Sequence, residues 1–202
     1  MAEALTAEAI LVATEEVLRR YGPAKATVVD VAKALGVSHG SVYRHFATKA
    51  ALREAVTRRW LSAIHEEMTP AFDEGLTAAE TLRAWLRKLF ENKRRSHSED
   101  LELFTTYKTL VNESSGVVEY HLEHLVGQLT SIISAGVETQ EFSTDDAART
   151  AQAVWDATQM FHHPAHARQW GSPHVEDEFD AVVSLVVDGL RYNRVPSATG
   201  DA

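Results

Sequence analysis

Between Thr27 and Lys49 the chain crowds together Thr27, Ser38, His39, Ser41, Tyr43, Arg44, His45 and Lys49, all side chains that donate or accept hydrogen bonds. Ring nitrogens, hydroxyls, a guanidinium and an ammonium on one short segment are the groups that read base edges and grip phosphates. The elements needed to position them are written in the same stretch. Thr27 followed three residues later by Asp30 opens a helix with a capping box, Val28, Val31 and Leu35 give it an apolar stripe, and Gly36 ends it where φ must turn positive. Ser38 then caps a second helix. Ala32, Gly36 and Val42 supply the small, turning and apolar positions of a helix-turn-helix, because bulk at Ala32 would part the helices and a Cβ at Gly36 would strain the turn. Base edges are reached from the N-terminal end of such a second helix, so His39, Gly40 and Ser41 are expected to face the major groove, with Arg44 directed at guanine or phosphate. Val42 and Phe46 point the other way, into the core.

Gly36-Val37-Ser38 at the turn, Tyr43-Arg44-His45-Phe46 closing the second helix and Lys49 opening the next together resemble the DNA-binding domain of the TetR family of bacterial transcriptional regulators. The resemblance implies that Tyr43, His45, Lys49 and Thr27 hold phosphates. It further implies a homodimer on a palindromic double-stranded DNA operator, and a pocket for a small effector between a connector helix and the dimerisation helices. Many relatives begin with a basic arm. This chain begins Met-Ala-Glu-Ala-Leu-Thr, so no extra minor-groove contact is expected.

Charge divides along the chain. Through Trp60 there are nine basic and six acidic residues, a net +3, whereas the remainder carries 11 basic and 23 acidic, a net −12. A basic front orients the molecule towards a polyanion and an acidic body keeps it soluble, so a pI near 5.5 is compatible with DNA binding. With 45% apolar residues and no apolar run approaching 18, no membrane-spanning helix is expected. The N-terminus lacks the features of a signal peptide. Zero cysteines leave no disulfide, zinc ribbon or thiol switch, which fits a cytoplasmic protein.

The periodicity is helical throughout and predicts an all-α fold of nine helices with no strands. An N-terminal three-helix DNA-binding domain over 1–48 precedes a helical effector-binding and dimerisation domain over 49–195, with 196–202 a disordered tail. Helix one runs from Thr6 to Tyr21 and stops at Gly22-Pro23. A connector follows over 48–68, ended by Thr69-Pro70. Five further helices span Thr77 to Lys93, opened by a Thr77–Glu80 box, then Ser98 to Val111, Gly116 to Glu138, Ser143 to His163, and Pro173 to Tyr192. The last is apolar on two sides: Phe179, Val182, Val183, Val186, Val187 and Leu190 on one, Ala181 and Leu185 on another. With the small residues Ala147, Ala151, Val154 and Thr158 of the preceding helix, it is expected to build a four-helix dimer interface.

Trp85, Phe104, Tyr107, Trp155, Gln159 and His162 are the candidate effector residues, their aromatic supply suiting a small hydrophobic ligand. The alternative is a metal-responsive regulator using His162, His163, His166 and His174. Pro164 argues against it by separating His162 from His166, and a histidine near a helix C-terminus suits the helix dipole, so no metal and no cofactor is expected. His121 and His124, flanked by Glu119 and Glu123, read as a solvated face. None of the G-x-S-x-G, phosphate-loop, G-x-G-x-x-G or H-E-x-x-H patterns occurs, so no catalytic residue is assigned and no enzyme is expected.

Overall fold

A computed structural model of the chain describes residues 5–68, 75–113 and 115–192. Among them are ten α-helices, one 3-10 helix and no strand: α1 (Ala7–Tyr21), α2 (Val28–Ala34), α3 (His39–Tyr43), α4 (Lys49–Met68), α5 (Ala78–Glu99), α6 (Leu101–Asn112), α7 (Gly116–Glu138), α8 (Ala147–Ala157), α9 (Gln159–His162), the 3-10 helix (Pro164–Gln169) and α10 (Val175–Tyr192). The fold is all-α.

The chain forms two compact units. One comprises Met1–Glu67 with Arg94–Leu122, the other Met68–Lys93 with Glu123–Ala202. In the first, Ile10, Val17 and Leu18 of α1, Val28, Val31 and Ala32 of α2, Val42 of α3 and Leu52 and Val56 of α4 share one core, with Phe46 partly buried against it. Leu103 of α6, 2% exposed, belongs to that core although more than forty residues separate it from the others. In the second unit, Phe90 stacks on Phe179 at 5.1 Å, and Phe161 meets both rings edge-on at 5.5 and 5.2 Å. Leu125, Leu129, Ile132 and Ile133 of α7 are wholly buried.

Local signals in the sequence predict most helix starts. The Thr77 hydroxyl accepts from Glu80 N at 3.2 Å while Thr77 N donates to the Glu80 carboxylate at 2.8 Å. Gly22 ends α1 at φ 74°, its N–H returning to Leu18 O at 2.8 Å. Other boundaries differ. The helix expected to end at Lys93 continues to Glu99, and its successor starts at Leu101 after Asp100. The helix expected over Ser143 to His163 starts only after Asp146, whose carboxylate caps Arg149 N, and it breaks at Thr158. There the hydroxyl bonds back to Val154 O at 2.8 Å, a contact that competes with continuation of the backbone ladder. Ala151, Val154 and Thr158 are buried within the chain itself, so this stripe packs inward rather than offering a free face, whereas Ala181 and Leu185 stay exposed, Leu185 at 75%. The expected stop at Thr69-Pro70 and the tail over 196–202 lie outside the described residues.

Candidate nucleic-acid interface and effector region

The helix-turn-helix is held by its own side chains. Thr27 Oγ1 accepts from Asp30 N at 3.2 Å and Asp30 Oδ2 accepts from Thr27 N at 3.0 Å, so both halves of the capping box are made. Thr27 Oγ1 also donates to Asp30 Oδ2 at 2.6 Å, which orients the hydroxyl and leaves it exposed at the start of α2. Gly36 takes φ 67°, and Val37 N reaches Ala32 O at 3.0 Å to close the turn. Ser38 Oγ accepts from Ser41 N at 3.2 Å and starts α3.

With Val42 wholly buried, the rest of α3 faces outward: His39, Gly40, Tyr43, Arg44 and His45 are exposed and Ser41 half-buried. His39 and Tyr43 meet edge-on at 6.3 Å, one turn apart. Arg44 Nη2 donates to Ser41 Oγ at 2.9 Å, and Ser41 Oγ lies 3.0 Å from Ser38 Oγ. Lys49 opens α4, exposed. All nine residues singled out here by the sequence thus fall on one module, and seven of them run from Ser38 to His45. An ideal Cβ built on Gly40 finds only Ser38 Oγ, at 3.8 Å, so internal packing does not require glycine there.

The basic front is less free than its count suggests. Arg19 forks onto Asp100 of α6 at 2.7 and 3.1 Å, an interaction that raises its pKa further. Arg53 pairs with Glu113, and Arg59 with Glu8 at 2.8 Å and with Glu15. These three arginines of α1 and α4 are neutralised within their unit, whereas Arg20, Lys25, Lys33, Arg44, Lys49 and Arg58 stay exposed and carry the positive charge of the front.

The six candidate effector residues divide between the units. Phe104 and Tyr107 lie in the first, 6.2 Å apart and both 2% exposed, with Trp60 of α4 at 6.0 Å from the Tyr107 ring. Trp85, Trp155, Gln159 and His162 lie in the second. Trp85 donates to Gln128 Oε1 at 3.0 Å. Gln159 turns to Asp156 at 3.2 Å on the outer side of its helix. His162 packs on Trp155 at 4.0 Å between ring centroids, its Nε2 3.1 Å from Trp155 O and 3.3 Å from Thr158 Oγ1.

The histidines behave differently from expectation. Burial, with the Lys93 charge adding to it, pushes the His162 imidazole down to about 3, so it is neutral and contributes nothing to a helix dipole as a cation. Lys93, itself buried, is pushed down to about 7 by desolvation. His163 and His166 face each other at 6.1 Å. Among the described residues no three His, Asp or Glu side chains converge into a metal-holding group. His121 is not on a solvated face. It is 0% exposed, stacked on His65 of α4 at 4.8 Å with His65 Nε2 and His121 Nδ1 2.6 Å apart, and Tyr107 meets it edge-on at 5.8 Å. His124 instead lies 3.2 Å from Gln128 Nε2. No sequence pattern pairs His121 with a residue 56 positions away.

Comparison with known proteins agrees with this geometry. The family described as bacterial regulatory proteins, tetR family, matches residues 10–56, and the tetracyclin repressor-like C-terminal domain matches residues 78–183. The chain belongs to the TetR family. TetR proteins are transcriptional regulators that bind DNA through the helix-turn-helix, so this chain is a DNA-binding regulator of transcription. It is 26% identical over 170 residues to the HTH-type transcriptional repressor KstR2 of Rhodococcus jostii, covering 81% of this chain and 80% of that protein. Its fold is shared with Thermus thermophilus FadR solved with lauroyl-CoA (TM-score 0.65, 21% identity, 96% and 100% of the two chains). The same holds for Bacillus subtilis FadR solved with stearoyl-CoA (TM-score 0.62, 19% identity, 93% and 98%). No helix among the described residues is long and apolar enough to cross a membrane.

Two features of the first unit escaped the motif. Leu103 completes the DNA-binding core from α6, and Asp100 holds Arg19, although only their remoteness from the helix-turn-helix hid them. The Ser38–Ser41–Arg44 chain was implicit in its spacing of three, which places all three side chains on one face.

Proposed function

We propose that this TetR protein is a ligand-released repressor that binds a palindromic operator as a homodimer. The observation that carries the reading is the outward face of α3: His39, Gly40, Ser41 and Arg44 at the base-reading end, Tyr43, His45, Lys49 and Thr27 around it as phosphate contacts, all backed by a buried Val42 and capped at both helix starts. Exposed Ala181 and Leu185 on α10 support dimerisation through that helix. Dimer symmetry would set the two recognition helices about 34–36 Å apart, one turn of DNA.

The effector is a small hydrophobic molecule. The aromatic residues of both units support it, and the acyl chains of the acyl-CoA ligands in the two FadR structures share its hydrophobic character, although the coenzyme A head does not. Effector binding moves α4, alters the spacing of the two α3 helices and lowers operator affinity. Linkage then requires operator to weaken effector binding by the same factor.

The test is retention of fragments of the source genome, above all those flanking the protein's own gene, at two salt concentrations. A retained fragment with an inverted repeat, bound with affinity falling steeply in salt, supports the reading. Failure to retain any fragment, with and without acyl-CoA of several chain lengths, overturns it.

A further inference from the structure

We infer that Arg44 reads a guanine base, positioned for it by Ser41, instead of holding a phosphate; this rests on the operator-binding role proposed above. Arg44 is the C-cap of α3, so its backbone lies at the far end of that helix and its side chain must reach back to meet base edges. Side chains on a helix lean towards its N-terminus, and this one is fixed in that direction: Nη2 donates to Ser41 Oγ, three residues back, at 2.9 Å. Ser41 is not a loose anchor. Its backbone N–H donates to Ser38 Oγ at 3.2 Å, and its hydroxyl lies 3.0 Å from the same oxygen. Because a guanidinium can only donate, the Arg44 bond occupies one Ser41 lone pair, and the two hydroxyls remain able to bridge each other with one of their protons.

The guanidinium is therefore carried from the backbone-facing end of the helix to the turn formed by Ser38 to Ser41, where base edges are met. The fork suits a phosphate as well, so the choice rests on place: the bond to Ser41 holds the guanidinium at the end of α3 where base edges are met. A guanine offers O6 and N7 side by side, which match the planar fork, and one bond to Ser41 leaves the fork four further N–H donors. The flank is already supplied with exposed groups for phosphates in Tyr43, His45 and Lys49.

The experiment measures affinity of the full-length protein for its operator and for a set in which each base pair is changed symmetrically in both half-sites. For the wild type, one G·C pair per half-site should resist change, substitution costing roughly ten- to a hundred-fold. Arg44→Ala should erase the preference at that pair and leave the others intact. Ser41→Ala should weaken it while Ser41→Thr, which keeps a hydroxyl, restores most of it. Placing 7-deazaguanine at that position should cost the wild type affinity and cost Arg44→Ala nothing. A uniform loss across every sequence for Arg44→Ala, with the slope of log affinity against log salt shallower by about one, would identify a phosphate contact and overturn the inference. Arg44 is exposed and Ser41 half-buried, so unchanged melting curves separate lost reading from lost folding. Should the wild type retain no fragment at all, the operator-binding role fails first and this inference falls with it.

Discussion

His162 Nε2–H donates to Trp155 O inside a site that excludes water, and a second proton added to the ring there has no solvent to stabilise it. Its folded pKa of about 3 lies below the ordinary value of 6.5, so between those limits the unfolded chain binds a proton that the folded chain refuses. Stability from this residue is complete above pH 6.5 and is lost as pH falls, at about 1.4 kcal/mol per pH unit within the window. Urea melts at pH 7.5, 6 and 5 should show that slope, and His162→Gln should flatten it. The residues proposed to face phosphates act on binding instead. Tyr43→Phe and Lys49→Ala should each weaken all DNA sequences alike, and Lys49→Ala should make the salt slope shallower by about one, read by fluorescence anisotropy on operator and random duplexes.

Two glycines on helix ends show how different causes fix the same residue. Gly36 has no atom within 4 Å of an ideal Cβ, so its constraint is the backbone alone: φ 67° costs an L-residue about 1–2 kcal/mol. Gly136 on α7 has the opposite problem, since a Cβ there would meet the Phe142 ring at 2.2 Å. The chain leaving α7 folds back so that Glu141 N and Phe142 N both reach Gly136 O at 2.9 Å. Gly136→Ala should therefore cost about 1–3 kcal/mol by overpacking, and Phe142→Leu should recover part of it in a double-mutant cycle, while no second change should rescue Gly36→Ala.

The same contrast marks what was legible beforehand. Caps at Thr27, Ser38 and Thr77 and the stop at Gly22 depend on neighbours three or four residues away, and spacing carries them. The run of α5 to Glu99 and the burial of His121 on His65 depend on partners far along the chain or on the shape of the core, which periodicity does not encode, and the break at Thr158 turns on the direction its hydroxyl takes, towards Val154 O, which spacing does not fix. The outward face of α3 was readable for the first reason. Its internal bond from Arg44 to Ser41 was readable in spacing but not in direction.

For the molecule as a whole, the core of the DNA-binding end is closed by Leu103 on α6. Leu103→Ala should cost about 2–5 kcal/mol, measured by chemical denaturation, and the loss should appear in the melting of the helix-turn-helix although the site of change lies outside it. By the same reasoning residues 1–67 expressed alone should fail to give a cooperative melt, whereas the intact chain should give one. Arg19 and Arg53 would lose Asp100 and Glu113 in that fragment as well.

The first compact unit draws on two separate strips of chain, Met1–Glu67 and Arg94–Leu122, with the return strip supplying both apolar closure and acidic partners. Chimeras that carry only the first strip of this protein onto a relative at a single junction would therefore leave its closing residues Leu103 and Asp100 behind. Exchange of target preference between relatives is expected to succeed only when both strips travel together, or when the recipient's α6 already carries an apolar residue at 103 and an acid at 100.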